Sequence, residues 1–346
     1  MEHRDATADP QSSAFSPQHP RTSRRVIVDT DPGVDDALAL ILALQSPELQ
    51  VEAITTVSGN VHVDVATRNA LTVLGLFPPE RRPQVAKGAD RPLGRSLYTA
   101  MHVHGDDGLG GVSNLCLPDG LPRYRPASEA LTPCDAVSCL LDLIRRFPGE
   151  ITLVALGPLT NVARALQRDA TLMQQLAGLV IMGGAVTVPG NVTPVAEFNI
   201  YVDPEAAHTV FTSGLPLTLI GLDVTERVRL TAETIEQRLR PLDTPLSRFL
   251  VDCTAQVLQF NSRVERPPGM ALHDPLAVGA VIDPSIVRTV VLPVRIETKG
   301  ELTTGMTVAD RRPLPPECKA PANANVALDV DGDRFLELFL GRIRTR

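Results

Sequence analysis

An α/β fold of one domain, built on a mostly parallel open sheet with helices on both faces, is predicted by three observations. Short apolar runs alternate with segments of helical periodicity along the 346 residues. Runs such as Val26-Ile27-Val28 and Leu179-Val180-Ile181-Met182 are continuously apolar, as strands buried on both faces must be. No internal repeat or linker divides the chain.

The elements follow in order. Arg24 to Asp29 is a strand that runs into the Asp-Pro-Gly turn at 31–33, and Val34 to Leu44 is the next helix. Val51 to Val57 is the second strand and Val65 to Leu76 its helix. Lys87 to Pro126 is polar and rich in glycine, so it reads as loop. Asp135 to Arg146 has apolar residues at helical spacing. Ile151 to Leu156 is a strand, Gly157-Pro158 a turn and Thr160 to Leu166 a helix. Leu179 to Met182 is a buried strand closed by Gly183-Gly184. Asp203 as N-cap with Pro204 at the first position starts another helix. Leu217 to Leu222 is a strand, Leu230 to Val257 is mainly helical, and His273-Asp274-Pro275 opens a further helix. Val290 to Ile296 and Met306 to Val308 are strands, and Phe335 to Ile343 is a closing helix.

Composition bounds the partners. Hydrophobic residues at 43% and charged residues at 21% are ordinary globular values, which excludes wholesale disorder, collagen and coiled coil. The net charge of −7 offers no basic face to a nucleic acid or an anionic membrane. No apolar run approaches the ~18 residues of a membrane span. Residues 1–23 hold no apolar signal core and are expected to be a disordered tail, which leaves 24–346 as the domain. The five cysteines are an odd number without Cys-x-x-Cys spacing, the pattern of reduced thiols in a cytoplasmic protein.

Ligands of parallel sheets bind beyond the C-terminal strand ends. There the first loop, Asp29-Thr30-Asp31-Pro32-Gly33-Val34-Asp35-Asp36, carries four carboxylates in eight residues. One or two would serve as N-cap acids, but a helix N-terminus offers only about half a positive charge. A bound hard cation resolves the repulsion of four, and all-oxygen donors favour Ca²⁺ or Mg²⁺ over zinc. Asp-x-Asp after a first strand also resembles the haloacid-dehalogenase phosphatases, with Asp29 as nucleophile and Mg²⁺ as cofactor. That family wants Thr or Val where this chain has Gly33, and it has no use for the Asp35-Asp36 pair.

The run Val28 to Ala37 resembles the N-terminal signature of the inosine–uridine-preferring nucleoside hydrolases. Further blocks match in family order: Thr55 to Asn60, His104-Gly105 with Asp107 to Gly111, Leu156 to Asn161, Met182 to Gly184, Asn191, Glu197 to Ile200, Asp203 to Ala207, and His273-Asp274-Pro275. The resemblance spans residue 25 to the end. It implies hydrolysis of the N-glycosidic bond of ribonucleosides with a tightly held Ca²⁺. Carried over by motif, Asp31, Asp36 and Asp274 are side-chain metal ligands and the Leu156 carbonyl a main-chain ligand. Asp35 is the general base toward a calcium-bound water, and Asn60, Asn191, Glu197 and Asn199 hold the ribose. His273 serves the leaving group and His104 stands near the base, with Asn60 and His273 counted among the catalytic residues. A homodimer or homotetramer is implied too.

These roles agree with the chemistry of the residue types. Glycoside cleavage passes through an oxocarbenium-like transition state, which clustered negative charge stabilises. With no Trp to stack on the base, His273 is expected to act as an acid, kept protonated by the neighbouring carboxylates. Neither the Trp of some purine-preferring members nor the Tyr and Gln that some pyrimidine-preferring members place upstream of the His-Asp pair is matched, and Phe260, Asn261 and Arg263 are the candidates to shape the base pocket. Gly105 to Gly111 lacks the Lys-Ser/Thr of a phosphate loop and reads as a mobile lid. A nucleoside-binding protein without turnover is the remaining alternative, although binding alone does not require a base such as Asp35.

Overall fold

In the computed structural model, β1 (Arg24–Thr30) is sheathed on both sides by parallel neighbours, β2 (Leu49–Thr56) and β4 (Thr152–Ala155). β3 (Gln84–Lys87) extends the sheet beyond β2. On the other side lie β5 (Gly178–Met182), β6 (Leu217–Ile220), β12 (Ala324–Val330) and β9 (Val287–Leu292). The order of the eight strands is β3-β2-β1-β4-β5-β6-β12-β9, and all are parallel except β9, which pairs antiparallel with β12. Two antiparallel pairs stand apart, β7 (Arg229–Leu230) with β8 (Met270–Ala271) and β10 (Val294–Ile296) with β11 (Thr307–Ala309). The structure describes residues 23–264, 268–313, 315–318 and 320–344. All but the last residue of the expected tail lies outside that set.

Each face of the sheet has its own core. One is filled by α1 (Val34–Gln45), α2 (Val63–Leu74), the helix His273–Ile282 and the closing helix Gly332–Arg344. The other is filled by the helices Ala136–Arg146, Thr160–Arg168 and Pro204–Phe211. α1 is buried on all sides from Val34 to Ala43, which suits a helix whose sequence is apolar all round. It packs against His273–Ile282, buried from Asp274 to Val281. Truncating a core residue here, such as Leu38 or Leu42, removes about 2–5 kcal/mol. The predicted cap is in place, Asp203 accepting from the Ala206 amide with Pro204 at the first helical position, and Asp135 caps its helix likewise by accepting from the Ser138 amide.

The chain departs from the sequence expectation at its smaller elements. β3 has four residues inside a polar segment, too few for a periodic signal. β12 follows a proline-rich stretch and carries Asn and Asp among its apolar residues. The single strand expected over Val290 to Ile296 is two, β9 and β10, because Pro293 has no N–H to continue the ladder. Asp243, with a φ of 48°, separates the helical turns after β7 from the long helix Pro245–Val264. All five cysteines are unpaired. Among the described residues no helix is long and apolar enough to cross a membrane.

Strand order reverses at β1: the chain leaves β1 for β2 and β3 on one side and returns to β4, β5 and β6 on the other. The crevice beyond the carboxyl ends of β1 and β4 is where such a sheet takes its ligand.

Candidate active site

β1 delivers Asp31 into that crevice, and the next turn carries Asp35 and Asp36 at the N-terminus of α1. Asp274 arrives from the N-terminus of His273–Ile282, packed alongside. Asp35, Asp36 and Asp274 each offer an oxygen within 4.8 Å of the other two, and all three are buried. Asp31 stands beside this trio. Its Oδ2 accepts the Asn60 amide N–H at 2.6 Å, while its Oδ1 is buried without a partner. Gly59 and Gly157 make the room, since a Cβ at either would collide with the Asp31 carboxylate. Asp36 accepts from the Thr30 hydroxyl, from the Gly33 amide at 2.9 Å and from the Asn60 side chain at 3.0 Å. The Asp35 Oδ1 is likewise buried and unpartnered.

Three buried carboxylates in contact, with a fourth repelling them from beside, are unstable as a set of bare anions. Burial pushes Asp35 up to about 6. Burial, with the repulsion of the neighbouring acids added, holds Asp31, Asp36 and Asp274 above the ordinary carboxylate range. Two orphaned buried oxygens in an all-oxygen donor set are what a hard divalent cation satisfies. The residues present therefore fit such an ion.

Over the acids lies a cavity of about 430 Å³, large enough for a small ligand. Of the residues singled out in the sequence, Asp35, Asn60, His104, Leu156, Asn191, Glu197, Asn199, His273 and Asp274 line it. Asp31 and Asp36 are buried next to them. The Asn199 side chain donates to the Leu156 carbonyl at 2.6 Å and to the Met182 carbonyl at 3.2 Å, which leaves Leu156 a second lone pair. Glu197 has a local task as well: it accepts the amides of Gly184, Asn199 and Ile200 and caps the short helix Phe198–Val202. Asn191 accepts the Phe198 amide at 2.9 Å. The remaining wall is aromatic and apolar. Tyr98 packs on Phe198 with ring centroids 6.3 Å apart, and His102 meets Phe260 edge-on at the same distance. Phe260 and Asn261 line the cavity as expected. Arg263 is exposed and takes no part in the lining. Tyr98 and His102 lie in the segment read as featureless loop, where no periodicity marks them.

His273 departs from the charge expected of it, and His104 is neutral beside it. Burial pushes His273 down to about 4, helped by the positive charge of Arg229 and by His104. The neighbouring carboxylates do not keep it protonated, and the ring is neutral near pH 7. Its Nδ1 lies 2.8 Å from the Thr225 hydroxyl. Burial likewise pushes His104 to about 4. Its Nδ1 accepts the Val34 amide N–H at 3.1 Å, so the proton of the neutral ring belongs on Nε2. Asp29 is not available as a phosphatase nucleophile. It is fully buried, accepts from the Thr55 hydroxyl and from the Asn161 side chain at 2.7 Å, and does not line the cavity.

The family model described as inosine-uridine preferring nucleoside hydrolase matches residues 26–337. The chain is 41% identical over 326 residues to a pyrimidine-specific ribonucleoside hydrolase, RihA, of Photobacterium profundum, covering 93% of this chain and 99% of that one. It is 43% identical over 323 residues to the protein of that name from a Shewanella species, covering 92% and 95%. Among solved structures it is similar to a purine-preferring ribonucleoside hydrolase from Gardnerella vaginalis, with a TM-score of 0.81, 35% identity and coverage of 93% and 98%. A plant nucleoside hydrolase, PpNRh1, aligns with a TM-score of 0.83, 36% identity and coverage of 93% and 99%.

Proposed function

The chain belongs to the inosine-uridine preferring nucleoside hydrolase family, and from that premise we propose how its residues divide the work of hydrolysing the N-glycosidic bond of ribonucleosides. Asp31, Asp36, Asp274 and the Leu156 carbonyl hold a Ca²⁺ ion. The ion, when bound, supplies a Lewis acid that gathers oxygen ligands and makes a water easier to deprotonate. Asp35 accepts the proton of the attacking water. It lines the cavity, keeps one oxygen free of protein partners, and sits at the ordinary edge of a base that works near neutral pH. Asn60, Asn191, Glu197 and Asn199 orient the ribose, and the buried carboxylates favour positive charge on the sugar as the bond breaks. His104 and His273 act as neutral hydrogen-bonding groups toward the departing base rather than as imidazolium acids.

Pyrimidine ribonucleosides are the preferred substrates in this reading. Support comes from the identity of 41–43% to relatives named pyrimidine-specific. The enzyme works in the cytoplasm as a homodimer or homotetramer; its five unpaired thiols suit a reducing compartment. The observation that carries the reading is the convergence of Asp35, Asp36 and Asp274 under one cavity. Uridine, cytidine, inosine and adenosine are the test panel, with free base and ribose measured. Faster release from uridine and cytidine is expected. Equal or faster release from inosine overturns the base preference, and no release from any of the four overturns the assignment of the site.

A further inference from the structure

We propose that Asn69 is a positioning residue of this hydrolase, one that holds the acidic loop and the segment covering it, Met101 to Val112, in a single fixed relation. Asn69 lies on α2, is buried, and does not line the cavity. Its side-chain amide has two hydrogens and uses both. One goes to the Pro32 carbonyl at 2.9 Å, the other to the Asp107 carbonyl at 2.8 Å. Pro32 links Asp31 to the Gly33 cap of α1, and the first bond within the helix runs from the Ala37 amide to the Gly33 carbonyl. Asn69 therefore secures the peptide between Asp31 and the Asp35-Asp36 pair where the helix ladder does not reach.

The covering segment is organised to receive this contact. The Asp107 carboxylate accepts the amides of Leu109, Gly111 and Ser113, which folds the turn around it. His104, at the head of the segment, accepts the Val34 amide and lines the cavity. Gly108 seals the junction: its φ is +74°, and a Cβ there would come within 2.8 Å of the Asn69 amide nitrogen, 2.9 Å of Val61 Cγ1 and 3.3 Å of the Pro32 carbonyl. Acidic loop, Asn69 and covering turn thus meet with no room for a side chain. Docking of the turn and placement of the acids become one event, and His104 is carried with them.

Asn69→Leu keeps the volume and removes both donors, while Gly108→Ala attacks the same junction from the other side. Each single variant and the double variant are tested on the ribonucleoside that the parent enzyme cleaves fastest, with amide exchange over residues 105–113 and thermal melting measured in parallel. Groups that orient a ligand set are typically worth 10–100-fold, so a fall of roughly that size in kcat/KM is expected for each single variant. Exchange across 105–113 should quicken by about tenfold or more as the turn opens locally. The double variant should be no worse than the worse single one, because both act on one contact. A lower melting temperature with kcat/KM unchanged, lost rate with unchanged exchange, or multiplied losses in the double variant overturns the proposal. If Asn69→Leu does not fold, Gly108→Ala alone decides by the same two readouts. The exchange measurement needs no turnover, so it is separate from the assignment of Asp35 as base.

Discussion

Asp29 and the group of Asp31, Asp35, Asp36 and Asp274 are both buried acids at the end of β1, and their surroundings differ in kind. Asp29 lies among neutral donors. Thr55 and Asn161 bond one of its oxygens, and the same Asn161 reaches the Thr56 carbonyl and the Ala89 amide. It ties β1 to β2 and to the helix Thr160–Arg168, and no other carboxylate repels it. The four acids one turn further on face one another, with two oxygens unpartnered. Asp29 Oδ2 is buried without a partner too, and burial lifts its carboxyl to about 6; what sets it apart is that no neighbouring acid repels it, so a single proton of its own satisfies it. Carboxyls facing each other need protons or a cation. The first arrangement is architecture and the second is a site, although Asp29, Asp31, Asp35 and Asp36 all come from one run of eight residues.

The largest expected consequence concerns the substrate that this second group faces. A site built around the ribose hydroxyls rejects an analogue lacking one by roughly 10⁴ in kcat/KM. Comparison of uridine with 2′-deoxyuridine measures it, and similar values for the two would detach the polar lining from the sugar.

Next in size is the contrast between the two kinds of acid. Asp35→Asn keeps shape but cannot accept a proton, and should lower kcat by about 10²–10⁴. Asp29→Asn should leave kcat within about tenfold, since Asp29 does not touch the cavity, and should act on stability by an amount typical of a single buried hydrogen bond, about 1 kcal/mol. Equal losses of turnover in the two variants would erase the distinction drawn here.

The smallest effect is on stability against pH. Burial lifts Asp35 from 3.8 to about 6 in the folded chain, and Asp31 and Asp274 are lifted further. Between pH 4 and 6, by the Asp35 value, the folded ion-free protein holds protons that the unfolded chain has released. His104 and His273, pushed from 6.5 to about 4, act the other way across the same window, but the raised acids, Asp29 included, outnumber them, so stability falls as pH rises through it. Melting of the chelator-treated protein should drop by several degrees from pH 4.5 to 7, and added Ca²⁺ should remove the drop. A melting temperature that rises across the same range without an ion would mean that the acids are already compensated by the protein.

How much of this is legible in the sequence depends on how local each signal is. The acidic loop is legible because its carboxylates are crowded into one strand-to-helix turn. The helix starts at Asp135 and Asp203 are legible for the same reason. The union of that loop with Asp274, over two hundred residues away, is carried by the family resemblance and needs the packing of α1 on His273–Ile282 to be seen as geometry. The charge of His273 is misjudged from sequence, because the neighbouring acids are visible there and its burial is not. Asn69 is silent, being one polar residue inside an amphipathic helix whose partners lie 37 and 38 residues distant. Tyr98 and His102 are silent because an irregular segment positions them.

Calorimetric titration of chelator-treated protein with Ca²⁺, with turnover followed in the same samples, addresses the ion site most directly. One ion per chain should bind, turnover should return in proportion to occupancy, and Asp36→Asn should weaken binding while Asp29→Asn leaves the stoichiometry at one. Full turnover in protein shown by elemental analysis to hold no divalent ion would contradict the assignment of Asp31, Asp36 and Asp274 as its ligands.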